Sequence, residues 1–175
     1  HRIGYMSILR RAEKVGRKFQ NPVPTKMFGL GLIVKLIPQM LTNKEERVPR
    51  TPLGPFNTDA LVYRTAPVSG LRVTWMGHSS ILMEIDGVRV LIDPVWDERA
   101  APVEGAGPKR FFSAPLVLEE LPRVDVVLTS HDHFDHLGKG TVRRLARMEA
   151  TAKARWVTSL GVGAILKNFG VAPER

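Results

Sequence analysis

Regular alternation of apolar and polar positions begins at Leu71. Residues 71–76 (Leu-Arg-Val-Thr-Trp-Met) and 81–85 (Ile-Leu-Met-Glu-Ile) have the make-up and spacing of strands. Asp86-Gly87, followed by the apolar residues 88–92, is a strong two-residue hairpin signal. After a long connection, residues 116–121 predict a short helix, residues 124–129 a buried strand, and residues 141–150 a helix capped by Thr141. A strand over 155–158 and a helix over 162–169 repeat the alternation. Hairpins followed by strand and helix predict an α/β (α+β) fold in which helices cover a sheet.

The first third of the chain follows other rules. Residues 10–18 predict a short basic helix, broken by Asn21-Pro22-Val23-Pro24-Thr25. Residues 28–41 form the most apolar run, shorter than the about 20 residues that span a bilayer, and interrupted by Lys35 and Pro38. It begins too far inside the chain for a secretory signal and lacks a small-residue cleavage site. Packing on the domain that follows and lying on a lipid surface are its two readings. Two X-Pro steps and a glycine make residues 48–55 an extended linker. The expected division is a basic arm and Pro-rich linker over 1–55 and a domain over 56–175. A start at His1 and a stop at Arg175 read as a fragment of a longer protein.

Charge sharpens that division. The net charge is +9, and residues 1–50 hold eleven Lys/Arg against three Asp/Glu, which leaves +1 for the rest. A basic arm suits an anionic membrane surface or is simply a solvated face. Nucleic acid is disfavoured, since neither an aromatic-interleaved motif nor zinc-finger spacing accompanies the charge. The expected location is cytoplasmic, with peripheral membrane contact through the arm; the sequence leaves oligomeric state open. With 43% hydrophobic residues the chain can build a core, and with no cysteine it can form neither disulfides nor thiolate zinc sites.

The candidate chemistry lies directly after the buried strand, in His131-Asp132-His133-Phe134-Asp135-His136. Three imidazoles and a carboxylate at this density supply the N and O ligands that suit zinc and its neighbours. If the strand's alternation continues, His131 and His133 share one side while Asp132 and Phe134 point away. Gly138 and Gly140 then mark a turn that would bring Asp135 and His136 back to the same pocket. A second cation about 3.5 to 4 Å from the first would fit there.

Ser130-His131-Asp132-His133-Phe134-Asp135-His136-Leu137 resembles the H-x-H-x-D-H motif of the metallo-beta-lactamase superfamily. Val73 to Ser80, Leu91 to Trp96, Gly107-Pro108-Lys109-Arg110-Phe111 and Glu120-Leu121-Pro122 resemble the branch containing N-acylphosphatidylethanolamine-hydrolysing phospholipase D and its bacterial relatives. The resemblance implies an αββα sandwich, of which this chain carries about the first half. It implies two zinc ions in the complete protein, with Mn2+ or Fe2+ as alternatives. His131 and His133 would bind the first, Asp135 and His136 the second. The remaining ligands would come from later in the domain, since no histidine follows His136. The implied activity is hydrolysis of a phosphodiester in a phospholipid-like substrate by a hydroxide held between the metals, with Asp135 orienting it. A lactonase or other hydrolase on the same fold, and an inactive metal-binding fragment, are the alternatives.

His78, between Gly77 and Ser79, is the second catalytic candidate: it would contact substrate or a metal-held phosphate, against a structural hydrogen bond. Asp93 is expected to support a ligand or tether backbone. Lys109 and Arg110 read as a solvated basic loop rather than a phosphate clamp, and Trp75, Trp96 and Phe111 as packing.

Overall fold

Leu82, Leu91 and Val127 sit directly opposite one another on three neighbouring strands and are fully buried. Burying each such side chain stabilises the fold by roughly 1.5–3 kcal/mol. The computed structural model that shows this describes residues 12–16, 18–20, 23, 34, 38, 42, 46, 48–101 and 105–175. The chain divides into two units, His1–Arg47 and Val48–Arg175.

The second unit holds a five-stranded sheet in sequential order: β3 (Leu71–Gly77), β4 (Ser80–Ile85), β5 (Val88–Ile92), β6 (Val126–Thr129) and β7 (Arg155–Thr158). The first three strands are antiparallel, and β5, β6 and β7 run parallel. Asp86 (φ 48°) and Gly87 (φ 82°) both take the left-handed conformation that a tight hairpin demands. Two short helices follow, α1 (Lys139–Leu145) and α2 (Gly163–Asn168), along with single-turn 3-10 helices at Leu118–Glu120 and Glu149–Thr151. The second unit is therefore mixed α/β, as expected, with helices packed on one face of its five-stranded sheet.

Period-two alternation separates the sheet's faces. Ser80, Leu82 and Glu84 of β4 are buried, as are Met76, Leu91, Val127 and Thr129 beside them, under Tyr63, Leu116, Leu118, Leu121 and Leu145. A second cluster of Leu137, Val142, Val162, Leu166 and Val171 joins the first through Trp156. Buried Glu84 accepts from Arg72 at 2.7 Å and Arg89 at 3.0 Å. The same guanidiniums donate to carbonyls of Val62, Tyr63 and Thr65, fastening the 3-10 helix Ala60–Arg64 onto the sheet. The opposite face is also apolar, yet Val73, Trp75 and Val157 are 57%, 48% and 49% exposed.

Two expectations change, and a third falls outside the described residues. Within the span read as a basic helix, Lys14–Val15 (β1) pairs antiparallel with Lys18–Phe19 (β2), turning at Gly16 with φ 60°. Glycine there favours the reversal over helix. The helix expected over 141–150 is shorter and starts at Lys139, with Gly138 at the cap position. Thr141 is inside it, and its hydroxyl donates to Asp97 while accepting from Trp96 N. The apolar run 28–41 lies outside the described residues except Val34 and Pro38, so neither reading of it is decided. Among the described residues no helix is long and apolar enough to cross a membrane.

Candidate metal centre

β6 stops at Thr129, so the histidine segment does not continue the strand's alternation. Instead the chain curls: His133 O accepts from His136 N at 2.9 Å and Leu137 N at 2.7 Å. This turn, made before the glycines rather than by them, carries Asp135 and His136 back toward the β3–β4 connection. Phe134 consequently does not point away but lines a cavity together with His133 and Asp135.

Across from it, the bulged end of β3 leads into His78, held at φ 50° after Gly77 at φ 99°. Positive φ is uncommon for a residue with a side chain, though histidine tolerates it better than most. The His78 carbonyl accepts from the Trp75 indole at 2.8 Å, and Ser79 Oγ donates to Asp135 O at 3.0 Å. His78 Nε2 lies 2.9 Å from Asp135 Oδ2. A carboxylate only accepts, so Nε2 carries the proton. Burial pushes the Asp135 carboxyl up, but the His78 hydrogen bond and a backbone hydrogen bond hold it below its ordinary value.

Asp93 organises the ligand set from behind. It ends β5 at φ 43° and is buried; Oδ1 accepts from Ser130 N and Oδ2 from Ser130 Oγ, both at 2.7 Å. Its Oδ2 also lies 2.9 Å from His136 Nδ1, and Ser130 Oγ lies 2.9 Å from His131 Nδ1. Ser130 spends its single proton on Asp93, so its oxygen accepts from His131. Both imidazoles therefore carry the proton on Nδ1 and keep an Nε2 lone pair free. Metal-binding histidines are held in this way, by a hydrogen bond on the far nitrogen.

Among the described residues, His78, Asp135 and His136 each offer a ligand atom within 4.8 Å of the other two. His136 Nε2 is 3.8 Å from Asp135 Oδ2. His131 and His133 fall outside that group, but the His131 ring lies 4.5 Å from His133 and 4.0 Å from His136, centroid to centroid. The free Nε2 atoms of His131 and His136 and the Asp135 carboxylate are donor types that suit a divalent cation, while His78 Nε2 spends its proton on Asp135. The centre opens on a cavity of about 570 Å³ whose lining includes Trp75, Phe111, Phe112 and Phe134. Trp75 packs on Phe56 and Phe112 as expected while staying half exposed on that wall, Phe111 is half exposed beside it, and Trp96 packs on the core and donates to Leu116 O at 2.7 Å.

Two roles were invisible in the sequence. Arg110 does not lie in solvent: it donates to Val95 O at 2.9 Å and to Met76 O and Phe112 O at 3.2 Å. Burial lowers its pKa, against the charge of Asp97. Asp97 caps α1 from a distance, its Oδ2 accepting from Thr141 N at 3.2 Å and Oγ1 at 3.0 Å. Lys109 is exposed and paired with Glu98 at 2.7 Å.

With this geometry in place, comparison with known proteins gives the class. The family model of the beta-lactamase superfamily domain matches residues 88–175, and the protein belongs to that superfamily. It is 47% identical over 114 residues to an uncharacterized protein of Mycobacterium tuberculosis, covering 65% of this chain and 30% of that one. It is 41% identical over 106 residues to the N-acyl-phosphatidylethanolamine-hydrolyzing phospholipase D 1 of Caenorhabditis elegans, covering 61% and 29%. A metal-dependent hydrolase of Anaeromyxobacter is 36% identical over 104 residues, covering 59% and 32%. The chain thus spans about a third or less of the length of these relatives.

Proposed function

We propose that the intact protein is a zinc-dependent hydrolase that cleaves a phosphodiester in a phospholipid-like substrate. The observation that carries this reading is the convergence of His78, Asp135 and His136 donors at the mouth of a large, aromatic-walled cavity. Identity with a phospholipase D of that substrate class supports it. His131 and His133 would hold one cation, and Asp135 and His136 a second. Bound there, divalent cations acidify a water and neutralise charge on phosphoryl oxygens. Asp135 orients the attacking water, and His78 holds the Asp135 carboxylate in place. The water oxygen ends on phosphorus and one of its protons on the departing alcohol, which leaves a phosphatidic acid as the other product.

The test is a hydrolysis screen of the intact protein, reconstituted with zinc or with manganese, against phosphodiesters, phospholipids and lactones. Phosphodiester turnover that Asp135→Asn abolishes is the expected result. Turnover of lactones alone, or a metal content near zero after reconstitution, overturns the reading.

A further inference from the structure

The connection between β5 and β6 forms much of the cavity wall, and it is anchored twice beside the histidine motif. The first anchor is Asp97. Its carboxylate sits where a Cβ at Gly138 or Gly140 would overlap it, and it accepts from Thr141 N and Oγ1. Trp96 N donates back to Thr141 Oγ1 at 2.7 Å, which closes the anchor. These partners begin two residues after His136, so residues 94–101 are tied to the segment that carries the ligands.

The second anchor is Arg110. Its three nitrogens donate to carbonyls of Phe112, Val95 and Met76. A Cβ on Gly77, the residue before His78, would overlap its Nη2. With each of its three nitrogens donating to a main-chain carbonyl, the guanidinium is held by the chain, and its contribution is geometric. Beside it, Phe112 packs between Phe56 (centroids 4.8 Å apart) and Trp75 (5.4 Å), while Phe111 lines the cavity.

We propose that Asp97 and Arg110 are positioning residues that pin this connection to both sides of the metal centre, so that Phe111 and Phe112 form a fixed wall. That wall sets how large an apolar group beside the scissile bond is accepted. The inference rests on the phosphodiesterase reading for the identity of that bond, but its binding test does not require turnover.

The experiment is calorimetric titration of the zinc-loaded intact protein with inorganic phosphate and with a series of n-alkyl phosphates from ethyl to octyl. Wild-type affinity is expected to rise with chain length by about twofold per methylene, below the fourfold of full burial. Arg110→Lys and Asp97→Asn should each flatten the series and weaken octyl phosphate by about tenfold, with inorganic phosphate held within about twofold. Phe111→Ala, which truncates the wall and leaves both anchors intact, should flatten it too and serves if an anchor variant does not fold. In turnover, the anchor variants should raise KM for bis(p-nitrophenyl) phosphate more than they lower kcat. A flat wild-type series, or equal loss of inorganic and octyl phosphate in the variants, overturns the proposal. Chain-length-dependent binding by a protein that hydrolyses no phosphodiester would refute the reaction and leave the wall standing.

Discussion

Asp93 governs the candidate centre although it reaches neither cation nor substrate in the reading above. One buried carboxylate receives Ser130 N, Ser130 Oγ and His136 Nδ1, and through Ser130 it also fixes the His131 ring. Asp93→Asn keeps the shape but replaces one acceptor oxygen by a donor, so one of these partners loses its bond. Zinc affinity of the intact protein should fall about 10–100-fold, measured by chelator competition, with circular dichroism unchanged. Unaltered affinity would remove Asp93 from the centre.

His78 acts on the pH scale. A carboxyl whose folded-state pKa is depressed stabilises the folded state above its unfolded value and loses that contribution as pH falls through the folded one. The His78 hydrogen bond is the largest influence lowering the Asp135 carboxyl, against burial. His78→Ala should therefore let that carboxyl take up its proton at higher pH. In the zinc-free intact protein, the Asp135 carboxyl followed by NMR should titrate at higher pH in the variant than in wild type; coincident curves would show that His78 does not tune Asp135. The carboxyl and imidazole types were legible in His131 to His136, because ligand chemistry is local in sequence. Asp97 and Arg110 were not, because their partners are main-chain groups and glycines brought near only by folding.

At the scale of elements, the β3–β5 meander was readable to within a residue, since alternation and Asp86-Gly87 are local signals. The start of α1 was misread because a distant carboxylate, Asp97, takes over the capping that Thr141 was expected to provide. The reach of the strand was misread too: alternation holds only while a neighbouring strand pairs, and pairing of β6 ends at Thr129. Glu84 gives the elements their firmest test, as it joins β3, β4 and β5 to the helix before them. Glu84→Ala leaves Arg72 and Arg89 part-buried without their carboxylate, and should cost about 3–5 kcal/mol in urea unfolding. Replacing all three by apolar residues of similar volume should cost much less, and a triple variant as unstable as the single one would contradict the argument.

At the scale of the whole molecule, the sheet's second face sets the chain's behaviour. Leu71, Val73, Trp75, Ile81, Met83, Val90, Ile92, Val126, Leu128 and Val157 share it by register, while the buried residues between them face the helices. A sheet apolar on both sides belongs inside two layers, and a patch of this extent left half exposed binds other apolar surfaces. The 175-residue chain on its own should therefore bind an apolar dye and sediment as concentration-dependent oligomers. Val73→Lys with Val157→Lys should reduce both effects in this chain, because each charge then sits on an exposed face. In the intact protein the same pair should destabilise the fold, because a second sheet would bury both charges. An intact protein that tolerates both lysines without loss in thermal unfolding would show that no layer covers this face, and the sandwich expected from the sequence would fail.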